Sequence, residues 1–188
     1  MRSVLLLALM LAAPAYAQTV RPPDAARLEA FHHHLGLALH VALARGTAAD
    51  RAVLVETLSG AAGPLVGAEG AWACRTLKLG GITDLTVYPN FRCRISRGSD
   101  GLVLIKETGS QRLKGRILED GTFLGVGHVG TAPATDYAGL PPLDQTPVEP
   151  NQTTADVGRF ELLSPDRARL MLPAPLLESR FDLLYLTR

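Results

Sequence analysis

The pattern of apolar and polar positions changes period once along the chain, near residue 70. Between Asp24 and Arg45, Leu28, Phe31, Leu35, Leu39 and Ala42 recur at helical spacing, which predicts one amphipathic helix. Asp24, following Pro22-Pro23, is placed to cap its start, and Gly46 to end it. A shorter helix is expected from Thr47. There Thr47-Ala48-Ala49-Asp50 resembles a capping box with Asp in the usual Glu position. Val53, Leu54 and Leu58 supply its apolar side, and Gly60 stops it. The small-residue stretch from Ala61 to Gly70 reads as a connector.

From Ala71 onward the period is two. Strands are expected at Ala71–Leu79, Leu85–Ser96, Leu102–Thr108, Gln111–Leu118, Thr122–Val129, Asp156–Leu163, Arg167–Leu172 and Arg180–Leu186. Short turns such as Gly80-Gly81, Gly109-Ser110 and Glu119-Asp120-Gly121 separate most of them. Phe91, Cys93 and Ile95 share one face, with Arg92 and Arg94 on the other. In the last strand Phe181, Leu183 and Tyr185 oppose Asp182, while Leu184 and Leu186 indicate that the second face is covered too.

Such a meander removes its exposed edges by closing on itself. The expected fold is therefore mainly β: an antiparallel eight-stranded β-barrel over residues 71–188, preceded by a helical hairpin within residues 18–70. An α+β open sheet or sandwich is the alternative. One connection is long. Gly130 to Ala155 contains Pro133, Pro141, Pro142, Pro147 and Pro150, and loops of that length in compact domains are usually functional or disordered. Tyr137, Leu140 and Leu143 would let it fold over the barrel mouth as a gate. It also holds the glycosylation sequon Asn151-Gln152-Thr153.

Residues 1–17 follow a different logic. Met1-Arg2-Ser3 precedes an apolar run from Val4 to Ala13, then Pro14 and Ala15-Tyr16-Ala17. A basic start, a short apolar core and an A-x-A site are the parts of a secretory signal peptide, cleaved here after Ala17. The expected location is periplasmic or secreted. The run is too short to span a bilayer as a helix, and no later segment is long enough, so no integral membrane span is expected. In an oxidising compartment the only two cysteines, Cys74 and Cys93, are expected to bond to each other.

The 188 residues carry 19 Lys and Arg against 18 Asp and Glu, and Arg2 belongs to the signal peptide. That balance argues against a nucleic-acid binder. The charge is uneven, however. Arg75, Lys78, Arg92, Arg94, Arg97, Lys106, Arg112, Lys114 and Arg116 crowd the middle strands. They pair with acidic strands across the surface, or they form an anion-binding face that includes Arg75, Arg92 and Arg94.

Three tempting motifs lack their context. Gly125-Val126-Gly127-His128-Val129-Gly130 spells G-x-G-x-x-G, but no helix follows to hold a pyrophosphate. A strand with small residues on one face, leaving room for a side chain or a ligand, fits better. His32, His33, His34 and His40, with Glu29, lack the H-E-x-x-H spacing, so no metal is expected. Ser110, His128 and Asp136 are triad ingredients without a nucleophile elbow.

Gly70-Ala71-Trp72 resembles the opening of lipocalin-like barrels. There the Trp closes the barrel base under a basic residue of the last strand, and the resemblance implies that role for Trp72 and Arg180. Longer stretches are similar to a family of uncharacterised exported bacterial proteins, DUF4893. They are Cys74-Arg75-Thr76-Leu77-Lys78-Leu79-Gly80-Gly81, Phe91-Arg92-Cys93-Arg94-Ile95, Thr108-Gly109-Ser110-Gln111-Arg112 and Glu178-Ser179-Arg180-Phe181-Asp182. That resemblance implies an exported domain with no assigned activity. In size and topology the chain is also similar to small periplasmic barrel inhibitors of proteases.

The expected function is non-catalytic binding of a small apolar or anionic ligand in the barrel, without a cofactor. Arg75, Arg92, Arg94, Gly125, Gly127 and Tyr137 are the candidate contacts. The alternative is a protein-interaction or inhibitor module with an envelope protein as partner. A hydrolase using Ser110 and His128 is a third reading.

Overall fold

The computed structural model describes residues 20–130, 135–140 and 153–188. The expected signal peptide and its cleavage site lie outside the described residues, as does Leu143 of the long loop.

Three helices come first: α1 (Pro22–Glu29), α2 (Phe31–Arg45) and α3 (Ala48–Leu58). The expected single helix over Asp24–Arg45 is broken at Ala30, with φ −83° and ψ 13°. The break lets the two halves follow different surfaces. Further along the chain, α1 packs on the sixth barrel strand and α2 on the first and last. Asp24 does not cap α1. Arg21 is the N-cap, the paired prolines start the helix, and Asp24 sits inside the first turn. Thr47 caps α3 as expected, its hydroxyl accepting the Asp50 N–H at 3.1 Å.

Eight strands follow: β1 (Gly70–Gly81), β2 (Leu85–Gly98), β3 (Gly101–Lys106), β4 (Gln111–Ile117), β5 (Thr122–Val129), β6 (Thr154–Ser164), β7 (Arg167–Pro173) and β8 (Ser179–Thr187). Each pairs antiparallel with the next, and β8 pairs back to β1, with Cys74 opposite Leu186 and Leu79 opposite Phe181. The closure excludes the open sheet and the sandwich.

Period-two alternation divides the apolar residues between two sides of this wall. Inside, Trp72, Ile95, Leu104, Ile117, Phe123, Phe160, Leu170 and Leu186 form one buried cluster with the Cys74–Cys93 disulfide. Outside, Leu77, Leu79, Phe181, Leu183 and Tyr185 are covered by Phe31, Ala38, Ala42 and Leu54 of α2 and α3. A third cluster lies outside β5 and β6, where Leu124, Val126 and Val157 meet Tyr137. The bond between Cys74 and Cys93 spans 19 residues and ties β1 to β2. By loop entropy such a crosslink stabilises a fold by about 3 kcal/mol.

The glycines of β4 and β5 serve this packing. A side chain at Gly115 or Gly125 would occupy the space of the Phe123 ring. Gly125, a candidate ligand contact from the sequence, therefore makes room for a neighbouring aromatic.

Trp72 is buried at the end of the barrel where β1 begins, and its indole N–H donates to the Ala68 carbonyl at 2.9 Å. The cation over its ring is Arg188, at 4.1 Å from the centroid, and not Arg180. Arg188 also donates to the carbonyls of Gly67, Glu69 and Pro165. Arg180 is exposed at the opposite end of β8, its aliphatic stem beside Gly80. The cation expected there was Arg180; the one found, Arg188, follows directly after β8. R188A should lower stability by about 1–2 kcal/mol through the lost cation–π contact and carbonyl bonds. R180A should stay within about 0.5 kcal/mol of wild type. Urea unfolding of the two variants checks the assignment, and equal effects would contradict it.

Candidate functional site

The upper half of the barrel interior is not apolar. Where β1 ends, Lys78 continues the inward face begun by Trp72 and Cys74. Where β3 ends, Lys106 continues the face of Leu102 and Leu104. Gln111 opens β4, Asp156 lies near the start of β6, and Asp182 near the start of β8. In an up-and-down meander these strand ends and beginnings meet at one rim. Together with Thr76, Phe91, Arg112, Leu113, Leu184 and Glu178 they line a cavity of about 250 Å³. A smaller chamber of about 50 Å³ shares Lys78, Gln111, Arg112, Asp156 and Asp182 and reaches Gly127, His128, Thr154 and Leu177.

The geometry of the cluster is dense. Lys78, 6% exposed, pairs with Glu178 and donates to the Gln111 side-chain carbonyl at 2.7 Å. Lys106, also 6% exposed, donates to the Gln111 backbone carbonyl and stands 4.1 Å from the centre of the Phe91 ring. Asp182 accepts from the Ser179 hydroxyl, and Asp156 faces the Thr154 hydroxyl at 3.4 Å. Gly127 is needed here, because a Cβ at that position would collide with the Asp156 carboxylate. Glu178 adopts φ 68°, a left-handed conformation that costs a non-glycine residue about 1–2 kcal/mol.

Burial dominates the proton chemistry. It pushes Asp182 up to about 7, the Ser179 hydrogen bond and the Lys78 charge opposing it. Asp156 rises to about 6 for the same reason, partly offset by Arg27. Burial, with the like charges of Lys78 and Arg112, brings Lys106 down to about 8. His128 is lowered by burial and by Arg112, and its Nδ1 is buried without a hydrogen-bond partner. Perturbed groups cluster at functional sites, and Lys106, Asp156 and Asp182 together make this cavity the candidate.

The residues singled out from sequence fare unequally. Arg75, Arg92 and Arg94 lie on the outer wall, away from this cavity. Arg75 bonds to Asn90, and Arg92 and Arg94 share Glu107. Tyr137 lies outside β5 and β6, where its hydroxyl donates to Asp24 at 2.6 Å and accepts the Arg21 N–H. The described part of the long loop is thus docked on the barrel flank and does not cover the mouth. None of the candidate ligand contacts lines the larger cavity, and only Gly127 borders the smaller chamber beside it. Among the described residues no group of three His, Cys, Asp or Glu is arranged to hold a metal ion. The triad does not assemble, since Asp136 pairs with Lys114 at 2.7 Å on the outer wall, whereas Ser110, exposed in its turn, borders the larger cavity and His128 the smaller chamber.

A family model described as "Domain of unknown function (DUF4893)" matches residues 16–186. The chain belongs to the DUF4893 family. No curated protein and no solved structure matches it. In this DUF4893 member Lys78, Gly81, Gln111, Arg112, Glu178 and Asp182 all fall within the stretches that carry the resemblance, and all but Gly81 line the cavity. Lys106 and Asp156 lie outside those stretches. Period-two alternation was the signal for both, because Lys106 follows Leu102 and Leu104 on one face.

The raised carboxyl groups carry a pH signature. Between pH 3.8 and 7 the folded DUF4893 chain keeps protons on Asp182 and Asp156 that the unfolded chain releases. Their contribution to stability therefore falls as pH rises through that window and is level above it. Lys106 acts in the other direction, its contribution recovering as pH rises from 8 towards 10.5. Denaturant unfolding should show the stability of wild type relative to D182N declining up to about pH 7, the opposing effect of the lowered His34 and His128 being common to both proteins. An unchanged slope in D182N would remove Asp182 from the titrating cluster.

Proposed function

We propose that this barrel is an exported, non-catalytic module that binds a small polar or anionic ligand at its mouth. One observation carries the reading: the barrel is packed solid around Trp72 and Phe123, yet open at the other end around buried, charged side chains. A purely structural interior would fill that end with apolar residues, because buried charge is costly unless it serves a partner. The cavity lies just below the range of about 300–1,000 Å³ found for drug-sized pockets, so the ligand is small.

The alternative, an interaction or inhibitor module, draws on Arg92 and Arg94. Both already share Glu107, which fits solvated strand charge paired across the surface. Export is supported by the character of residues 1–17 and by the disulfide, a bond that persists in oxidising compartments.

Native mass spectrometry of protein purified without reductant from its export compartment tests the reading. The expected result is a retained small molecule that is lost in K78M. A bare chain mass, together with no response of cavity amides to a library of small polar metabolites, would count decisively against it.

A further inference from the structure

We propose that the ligand of the mouth cavity is a small monocarboxylate, its carboxylate paired with Lys106 and its apolar body resting on Phe91, Leu113 and Leu184. This inference builds on the binding reading above. Lys106 carries the argument. It is as buried as Lys78, but Lys78 has a carboxylate partner in Glu178. Among the described residues no Asp or Glu lies within ion-pair distance of Lys106. An ammonium has three N–H donors, and the Gln111 carbonyl takes one of them. The Phe91 ring offers a weaker electrostatic contact in place of a counter-ion.

A buried ammonium without its anion is an incomplete pair. Its like-charged neighbours Lys78 and Arg112 make the deficit worse, and Asp182 offsets it only from a distance. A ligand anion on the free N–H groups would complete it with a charge-assisted hydrogen bond. Charge number follows from the rest of the lining. Asp156, Asp182 and the Lys78-paired Glu178 border the same space, so a dianion would meet three carboxyl groups. A single carboxylate halves that repulsion, and the acid form of Asp182 offers it an O–H donor. The apolar body follows from Phe91, Leu113 and Leu184, which form walls with nothing polar to offer.

The test uses oxidised, isotope-labelled protein titrated with butyrate, butylamine, butanol and inorganic phosphate, read by amide chemical shifts. Butyrate should move Lys106, Gln111 and Leu113, with the amine, the alcohol and phosphate each at least about tenfold weaker, a difference worth 1.4 kcal/mol. K106M should lose about tenfold or more of butyrate affinity, and K106R should keep part of it. Should K106M fail to fold, the wild-type Lys106 side chain supplies the readout. Its titration must shift to higher pH when butyrate is bound. Butylamine, butanol or phosphate binding as well as butyrate, or an unmoved Lys106 titration, would overturn the carboxylate assignment and leave the cavity reading standing. Failure of all four probes to shift any cavity amide would also overturn the carboxylate assignment, and the cavity reading would then rest on the retained-ligand and library test above.

Discussion

The antiparallel ladder between β1 and β8 is the constraint on which the rest depends. It converts a meander into a closed wall, so no strand edge is left for another chain to extend. The same two strands carry α2 on their outer side, through Leu77, Leu79, Phe181 and Leu183. Inside, Cys74, Leu184 and Leu186 face the core. Outside, the closing seam is therefore apolar under α2, while inside it is apolar up to Leu184 and turns polar at the mouth, where Lys78 and Asp182 pair across it. That explains why β8 is apolar on both faces from Leu183 to Leu186. It is a buried strand in a protein whose other strands mostly show one wet face.

Closure also fixes how much interior must be filled, and the chain fills it in two ways. Around the base, the disulfide, Trp72 under Arg188, and Phe123 over Gly115 and Gly125 leave no room. Around the mouth, Lys78, Lys106, Asp156 and Asp182 replace leucines at equivalent inward positions. The cost is visible in the lifted carboxyl groups, the lowered Lys106 and the left-handed Glu178. A fold that loses stability at one end while reinforcing the other behaves as proteins do when a site needs groups that packing alone would reject.

Architecture was legible from the sequence because it rests on period and punctuation. The eight strands and their turns follow from alternation interrupted by glycine-containing turns, and the disulfide from the presence of only two cysteines in a chain expected to be exported. What sequence periodicity does not convey is which face of a doubly covered strand points inward. In β8 the aromatic face of Phe181 and Tyr185 looks like the core, yet it is the helices that cover it. The face with the lone Asp182 lines the barrel. That single ambiguity hid the site, because with Asp182 assigned outward the cluster has no reason to converge. The arginines drew attention through their number, although alternation places them outside with their carboxylates. Arg180 lies near the start of β8 and Arg188 directly after it, and which of them meets the indole is set by the position of Trp72 at the start of β1.

The helix break at Ala30 joins these strands of reasoning. Seen as a sequence, Asp24 to Arg45 is one helix with one stripe, and helical propensity alone would keep it straight. Two buried attachments bend it. Phe31 meets Phe181 edge-on at 5.4 Å, which fixes α2 against the closing seam. Arg27 donates to the carbonyls of Ala155 and Pro173, and pairs with Asp24, which holds the Tyr137 hydroxyl. Ala155 and Pro173 lie at the mouth ends of β6 and β7. Arg27 therefore satisfies backbone groups at the rim where the ladder runs out, and its charge is felt by Asp156 inside. Through one residue the helical segment stabilises both the rim of the barrel and the ionisation of the cavity. Burying the Asp24–Arg27 pair would otherwise be hard to justify on stability alone, because apolar residues of similar volume would pack there at less cost.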